Sequence, residues 1–288
     1  MGLRKTTYTI DISGRLTGRR LAILADLHDR EPGPVLDMLR SDIPDAIMIP
    51  GDVVLGFFPE GNELVIDKCS NTMALLESCR EIAPACMSIG NHECLLCSED
   101  YDRLRAAGVT VLDNEWTELR FRGDRDDTDP AERIYVGGLT SAHAINYNEF
   151  RDEHNRGKDP EEYVRYPHRP IPKDREKQPT VSAWLDGFEQ ADGYRVLLSH
   201  HPEYWCLREP MLRDRKIDLV LSGHAHGGQW RFLGQGILSP GQGLFPKYTS
   251  GVHEGRYGRM IISSGLSNPY KAVPRFGNPC ELVYVEFE

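Results

Sequence analysis

Two histidines, His224 and His226, stand two positions apart in a glycine-rich segment that follows an apolar stretch at 217–221. In extended backbone, residues i and i+2 project to the same side, so both imidazoles can reach one point. Imidazole is the commonest nitrogen ligand of transition metals in proteins. The pair indicates a metal site, although two hydrogen-bonded loop histidines would give the same pattern.

More polar residues of this kind occur directly after other short apolar runs. The runs at 21–25, 46–49, 85–89 and 194–198 have the length and composition of buried strands. The polar residues that follow them are Asp26, His28, Asp52, Asn91, His92, Glu93, His200 and His201. A single such residue carries little information, but their repetition at strand ends predicts one common site.

The elements between these strands indicate how the site is assembled. Helical spacing of apolar residues predicts helices at about 34–40, 63–82 and 100–107. Alternation of strand and helix predicts an α/β fold with a largely parallel inner sheet, whose ligands bind beyond the carboxyl ends of the strands. Further predicted strands lie at 109–112, 229–232, 260–263 and 282–287, a hairpin at 115–122 with 133–137, and a loop at 234–258.

Composition restricts the class of protein. The 288 residues suffice for a large core, and we expect a single domain, residues 1–288. No apolar run is long enough to span a membrane, and the net charge of −10 argues against a strong nucleic-acid surface. Seven scattered cysteines predict free thiols in a reducing cytoplasm. Cys94 and Cys97 lack a second pair, so thiols without zinc are the simpler interpretation.

Residues 141–178 differ from the rest of the chain. They are rich in Pro, Arg, Asp and Glu and show little apolar periodicity. We expect a charged loop insertion, which is either a lid that shapes the substrate site or a solvated loop. After it, Thr180 could begin a helix that continues to about residue 190.

In chain order, the polar residues form five blocks: Asp26-x-His28, Gly51-Asp52, Gly90-Asn91-His92-Glu93, His200-x-Pro202 and Gly223-His224-x-His226. The blocks resemble the signature of the calcineurin-like metallophosphoesterase superfamily and span most of the chain. The later segments Pro240-Gly241, Phe245-Pro246-Lys247-Tyr248 and Arg275-Phe276-Gly277 further resemble the bacterial YkuE-like branch. The resemblance implies a four-layer α/β/β/α sandwich with two mixed sheets.

The resemblance also implies a binuclear metal centre. Asp26, His28 and His226 would hold the first metal, Asn91, His200 and His224 the second, and Asp52 would bridge both. The ions would be divalent or trivalent, with Mn, Fe or Zn as candidates. Two metals about 3.5–4 Å apart can hold the attacking and leaving oxygens of a phosphoester. The implied reaction is hydrolysis of a phosphomonoester or, slightly favoured, a phosphodiester by a metal-bridging hydroxide.

Other residues of the blocks have less certain roles. The resemblance implies that His92 contacts a phosphate oxygen and helps the leaving group depart, so that His92 and Asp52 are the catalytic residues. His201 is an alternative to His200 as the ligand. Glu93 could support a ligand or be a carboxylate in the first turn of a helix, and the helix interpretation is simpler.

Residues outside the blocks have open interpretations too. Tyr204, Trp205 and Phe245 could line a substrate pocket or pack in the core, and Arg231, Lys247 and Arg275 could attract phosphate or be solvated. We expect His143, His154, His168 and His253 to be ordinary surface or core residues. A non-catalytic scaffold and a nuclease are the alternatives to a phosphoesterase, and the sequence specifies neither the substrate nor the oligomeric state.

Overall fold

The computed structural model describes residues 2–12, 16–55, 64–123, 133–141, 182–207, 210–239, 242–268 and 273–288. The strands of these residues are, in chain order, β1 (Leu3–Ile10), β2 (Arg20–Ile23), β3 (Ala46–Ile49), β4 (Ala85–Ser88), β5 (Thr110–Leu112), β6 (Glu115–Leu119), β7 (Ile134–Leu139), β8 (Tyr194–Ser199), β9 (Leu219–Ser222), β10 (Arg231–Phe232), β11 (Gln235–Gly236), β12 (Leu238–Ser239), β13 (Gly243–Leu244), β14 (Gly251–Glu254), β15 (Arg259–Ile262) and β16 (Cys280–Phe287).

Helices occupy the connections between the strands. The α-helices of the described residues are α1 (Gly33–Asp42), α2 (Ser70–Ile82), α3 (Ser98–Ala106) and the single turn α4 (Leu185–Phe188). Short 3₁₀ helices lie at Ile66–Lys68, Glu93–Leu95, Pro202–Trp205, Leu212–Asp214 and His226–Gly228. None of the described helices has the length and apolar character needed to span a membrane.

The strands form two six-stranded mixed sheets. The first has the order β1-β16-β2-β3-β4-β5, and its strands β2 to β5 are parallel. The second has the order β14-β15-β9-β8-β7-β6, with β15, β9, β8 and β7 parallel and antiparallel strands at both edges. The predicted hairpin is confirmed by β6 and β7, which pair antiparallel.

The apolar core lies in three layers, because alternate residues of a strand face opposite sides of a sheet. Leu21 and Ile23 of β2 pack between the two sheets, with Val196 and Leu198 of β8 opposite them. Ala22 lies instead on the outer face, in the core that helices α1 to α3 share. Leu197, with the short helices of the later half, covers the outer face of the second sheet. The two mixed sheets with helices outside confirm the predicted α/β class and layer order.

Two predicted segments differ from the structure. In the segment 234–258, predicted as a loop, the strands β11 to β14 form, because its glycines allow tight turns between strands of only a few residues. The predicted helix at 63–82 is divided before Ser70, since Cys69 has non-helical backbone angles and Asp100 accepts a hydrogen bond from the Ile66 N–H.

Several predictions concern residues that lie outside the described ranges. They are the charged insertion at 141–178 beyond Ser141, the helix start at Thr180, the Pro240-Gly241 pair, and His143, His154 and His168. These remain predictions, as does the division of the chain into one domain.

Candidate metal centre

The candidate ligands lie at the carboxyl ends of five strands. Strands β2, β3 and β4 are neighbours in the first sheet, and β8 and β9 are neighbours in the second. Since these strands run parallel within each sheet, the polar residues after them emerge at one edge. The residues that meet there are Asp26, His28, Asp52, Asn91, His92, His200, His224 and His226.

Ligand atoms from the two sheets approach closely. His28 Nε2 lies 3.3 Å from His226 Nε2, and Asp26 Oδ1 lies 3.6 Å from the latter atom. His200 Nε2 lies 3.1 Å from Asp52 Oδ2 and 3.9 Å from Asp26 Oδ1. In three groups, all potential ligand atoms lie within 4.8 Å of one another: Asp26, His28 and His226; His28, Asp52 and His92; and Asp52, His200 and His224.

Two glycines of the blocks allow the strand ends to approach this closely. A Cβ at Gly223 would lie 2.6 Å from Asp26 Oδ2, in the other sheet. A Cβ at Gly51 would lie 2.6 Å from the Gly90 nitrogen, and Gly51 also has a φ of 115°. Because real Cβ atoms do not come this near, only glycine fits at either position.

The backbone beside the ligands is held in an unusual conformation. Asp26, His28, Asp52, His224 and His226 all have φ between 46° and 65°, the left-handed region that non-glycine residues seldom adopt. Such conformations persist where the surrounding structure imposes them, and they concentrate at functional sites. Hydrogen bonds join the loops: the His224 N–H donates to both oxygens of Asp26, and the His92 N–H donates to Asp52 Oδ1.

Several ligand atoms have no hydrogen-bond partner. Asn91 Oδ1 and His200 Nδ1 are buried and have no hydrogen-bond partner, whereas His200 Nε2 lies 3.1 Å from Asp52 Oδ2. Native proteins rarely leave buried polar atoms in this state. A cation in the cluster would interact with these lone pairs and would separate the imidazoles that now face one another. The donor set of carboxylate, amide and imidazole therefore fits the metal ions that the family pattern implies.

Burial and mutual charge shift the pKa values of the cluster. Burial raises the pKa of Asp26 to about 7. Burial would also raise that of Asp52, but the neighbouring imidazoles, His200 above all, hold its pKa well below the ordinary value. For His200, burial opposes the charge, yet the Asp52 carboxylate raises its pKa to about 9. Burial, with neighbouring imidazoles, lowers the pKa of His224 to about 3, so this ring stays neutral.

His92 and His201 differ from the predicted ligands. The side chain of His92 is 22% exposed, whereas those of His28, His200 and His226 are at most 6% exposed. His92 Nδ1 lies 3.1 Å from His28 Nδ1. His201 Nδ1 forms a hydrogen bond of 2.8 Å with Ser141 Oγ, and the residue belongs to none of the three groups of potential ligands among the described residues.

Glu93 has a role that the helix interpretation missed. It begins only a three-residue 3₁₀ helix, and it is completely buried. Its carboxylate accepts hydrogen bonds from the backbone N–H groups of Asp52 and Gly90 at one oxygen and of Val53 and Val54 at the other. Glu93 therefore holds the loop of Asp52 against the loop of Asn91, and the simpler sequence interpretation is wrong.

His226 is supported by residues near the end of the chain. Arg275 is 3% exposed, and its Nη2 lies 3.1 Å from His226 Nδ1, so its guanidinium group packs against that ring and is not solvated. Asn278 donates hydrogen bonds to the carbonyls of His226 and Gln229. A carboxylate or carbonyl usually lies behind a ligating histidine, whereas here the guanidinium group of Arg275 takes that place. The Arg-Phe-Gly motif at 275–277 was the sequence signal that could have identified this arginine.

The structure also separates the other candidates. Tyr204 and Trp205 are buried in the core of the second sheet, whereas Phe245 is exposed. None of the seven cysteines forms a disulfide, and Cys94 donates to the Ser141 carbonyl. No group of potential ligands among the described residues includes a cysteine, and His253 is half-buried beside Tyr248.

Comparisons with known proteins agree with this arrangement. The model of the calcineurin-like phosphoesterase family matches residues 19–228, which is more than half of the chain and includes all five blocks. An uncharacterized metallophosphoesterase of Aquifex aeolicus (strain VF5) is 26% identical over 298 residues, covering 98% of this chain and 88% of the relative.

Two solved structures are similar at low identity. A dimetal phosphatase from Danio rerio has 13% identity and a TM-score of 0.48, with 88% of this chain and 90% of that one covered. The sulfate thiohydrolase SoxB from Thermus thermophilus has 12% identity and a TM-score of 0.46, with 88% and 53% covered. Both scores are below 0.5, so the assignment rests on the family match. The chain belongs to the calcineurin-like phosphoesterase family, which supports a metal-dependent phosphoesterase.

Proposed function

We propose that the protein is a binuclear metal-dependent hydrolase of phosphomonoesters or phosphodiesters, with a slight preference for diesters, in which water attacks phosphorus directly. The observation that carries the proposal is that His200 Nε2 joins two of the three groups of potential ligands across the two sheets, because it lies 3.1 Å from Asp52 Oδ2 and 3.9 Å from Asp26 Oδ1. Within this cluster, the buried Asn91 Oδ1 and His200 Nδ1 have no hydrogen-bond partner.

The ligand assignment follows the two groups. Asp26, His28 and His226 would hold one ion, and Asp52 with His200 and His224 would hold the other. Asn91 would add its unpartnered Oδ1 to the second ion, and Asp52 would serve both. Mn, Fe and Zn suit this donor set. Bound ions supply Lewis acidity and lower the pKa of water towards neutrality.

His92 is the proposed hydrogen-bond donor to the leaving group. If His28 ligates through Nε2, its Nδ1 carries the ring proton and donates to His92 Nδ1, which lies 3.1 Å away. His92 then carries its own proton on Nε2. That atom lies 3.7 Å from Asp52 Oδ2, on the most exposed ring of the cluster, where its N–H can donate a hydrogen bond to a phosphate or leaving oxygen and stabilise the charge that develops there.

His200 is the proposed ligand rather than His201. His200 Nε2 lies 3.1 Å from Asp52 Oδ2, whereas His201 Nδ1 is engaged by Ser141. The rings of His201 and His224 are in contact, with centroids 4.1 Å apart and planes inclined by 44°. His201 would therefore orient the ligand His224 without binding the ion itself.

Two finer assignments rest on the sequence. The segments around Lys247 and Arg275 support membership of the YkuE-like branch. The seven cysteines, none of which forms a disulfide, are consistent with a reducing compartment such as the cytoplasm.

The deciding experiment compares 4-nitrophenyl phosphate with bis(4-nitrophenyl) phosphate as substrates of the manganese-loaded protein. We expect hydrolysis that a chelator abolishes and that added manganese restores, with the diester cleaved somewhat faster. Protein that contains two equivalents of metal but cleaves neither compound would contradict the proposed function and favour a non-catalytic scaffold.

A further inference from the structure

Exposed large apolar side chains concentrate in one part of the molecule. Before Trp230, the only described residues of this kind are Ile43 and Trp116. Eight more form what we call the apolar face: Trp230, Phe232, Leu233, Leu238, Leu244, Phe245, Val273 and Phe276. A concentration of this kind marks a contact site for a protein or a membrane.

Backbone hydrogen bonds join the segments of the apolar face. The Arg231 N–H donates to the Phe276 carbonyl at 2.8 Å, and the Trp230 indole donates to the Pro274 carbonyl at 2.9 Å. Ile237 connects the two small hairpins, because its N–H donates to Trp230 and its carbonyl accepts from Phe245. The exposed side chains therefore belong to one continuous surface.

The apolar face lies behind the metal cluster rather than in front of it. Trp230, Phe232, Arg275 and Phe276 are among the residues that line a groove of about 600 Å³ on this face. Arg275 approaches His226 from the Nδ1 side, whereas His226 Nε2 faces His28 and the cluster. The His226 ring thus separates the groove from the ligand atoms, which argues against a substrate subsite.

The charge of this region is opposite to that of the whole chain. Between Asp218 and Glu281, the sequence contains six Lys or Arg residues but a single carboxylate, Glu254. The net charge of the chain is −10. Arg231 and exposed Lys247 lie within the segments that form the apolar face. Charges farther away than the Debye length of about 8 Å are largely screened, so the local positive charge governs close contacts.

The protruding side chains of the apolar face favour a lipid surface over a protein as the partner. Leu233 lies in the turn between β10 and β11 and is 92% exposed, and Phe276, which lines the groove, is 72% exposed. An apolar side chain at the tip of a two-residue hairpin can enter a lipid interface without a fitted pocket. We propose that the apolar face docks the protein on an anionic lipid surface, with Phe232 and Leu233 in the interface and Arg231 and Lys247 at the headgroups.

Vesicle sedimentation of the full chain tests the proposal without substrate or metal. We expect binding to vesicles of equimolar phosphatidylcholine and phosphatidylglycerol, and binding about tenfold weaker to phosphatidylcholine alone. The variant Phe232→Ser/Leu233→Ser should lose at least tenfold in binding. The matched control is Ile43→Ser. Ile43 is also exposed, but it lies at the C-terminal end of α1 and is not part of the apolar face, so this variant should bind as the wild type does.

Two further measurements complete the test. Arg231→Gln/Lys247→Gln should weaken binding to the anionic vesicles and flatten its salt dependence. Fluorescence of Trp230, identified by comparison with Trp230→Phe, should shift to shorter wavelength on binding. The proposal is overturned if wild-type protein ignores both vesicles, or if binding is indifferent to the serine substitutions. It is also overturned if those substitutions dissociate a dimer, because a second copy would then cover the apolar face.

Discussion

The two sheets contribute unlike halves of the metal cluster. The first sheet contributes both carboxylates and the amide, with His28 and His92, whereas the second contributes only imidazoles. Behind the first half lies Glu93, with four backbone N–H donors. Behind the second half lies Glu203, also completely buried, whose Oε1 accepts a hydrogen bond of 2.8 Å from Gln242 Nε2.

The two buried carboxylates, Glu93 and Glu203, differ in how many hydrogen bonds they accept from the surrounding chain. Backbone donors converge on Glu93, so that its side chain fixes two ligand loops at once. Burial raises the pKa of Glu203 to about 7, and its Oε2 has no partner. The half that bears the anionic ligands is therefore fixed by a hydrogen-bond network, and the imidazole half by packing and single contacts. The four predictions below test this contrast.

The largest effect is expected for Asp52→Asn. The substitution removes the charge of the one residue proposed to serve both ions, and we expect turnover to fall about 10³-fold or more. Steady-state hydrolysis of bis(4-nitrophenyl) phosphate at saturating manganese measures it. Asp102→Asn, at an exposed aspartate of α3, is the control and should leave turnover unchanged. Near-wild-type turnover in Asp52→Asn would exclude the bridging role.

The second prediction compares adjacent histidines of the imidazole half. His200→Ala should lower metal affinity at least 100-fold and leave one ion bound, because a ligand is lost. His201→Ala should retain both ions and lose affinity only modestly through a less fixed His224. Metal titration by calorimetry, with bound metal measured by atomic emission, distinguishes the two. Metal loss from His201→Ala alone would reverse the assignment.

The third prediction concerns Glu93→Gln. In glutamine, an NH₂ group replaces one of the two oxygens that accept backbone hydrogen bonds, and two N–H donors then face another donor. We therefore expect a loss of about 3 kcal/mol in the free energy of unfolding. Metal affinity should fall about 10- to 100-fold, since the Asp52 loop is no longer held. Urea unfolding of the metal-free protein measures the first quantity and calorimetry the second.

The control for this change is Glu99→Gln, at an exposed glutamate in the first turn of α3. A carboxylate there interacts only with the helix dipole, so the loss should be below about 1 kcal/mol. Equal losses at both positions would restore the helix interpretation of Glu93.

The last prediction concerns Glu203, whose effect on stability appears only as the pH changes. Its folded pKa, about 7, is raised above its ordinary value of 4.5 by burial. Its contribution to stability is therefore complete below about pH 4.5 and is lost as the pH rises through about 7, by roughly 3 kcal/mol. Glu203→Gln should show a smaller decrease in unfolding free energy between about pH 5 and 8. The measurement is urea unfolding of the metal-chelated protein.

Glu254→Gln, at an exposed carboxylate, serves as the control and should follow the wild-type pH dependence. An unchanged pH dependence in Glu203→Gln would show that this carboxyl group titrates normally in the folded protein.

Much of the fold could be predicted because the buried strands are continuous apolar runs. The runs before Asp26, Asp52 and Asn91 correspond to β2, β3 and β4, and their ends differ by only one or two residues from prediction. Prediction was weakest at 234–258. There, strands of two to four residues pair with near neighbours in the chain, β10 with β11, β12 with β13 and β14 with β15, and they are too short to show a periodic pattern.

The sequence by itself determined the residue types of the cluster and their places at strand ends, since these follow from local apolar patterning and from the glycines in the blocks. Only the tertiary structure decided what supports them. Glu93 is a buried acceptor of backbone hydrogen bonds, and Arg275 lies against His226 although 49 residues separate the two. Whether a charged side chain is solvated or buried depends on which distant elements pack over it. That packing is a property of the folded chain, and a local sequence pattern does not contain it.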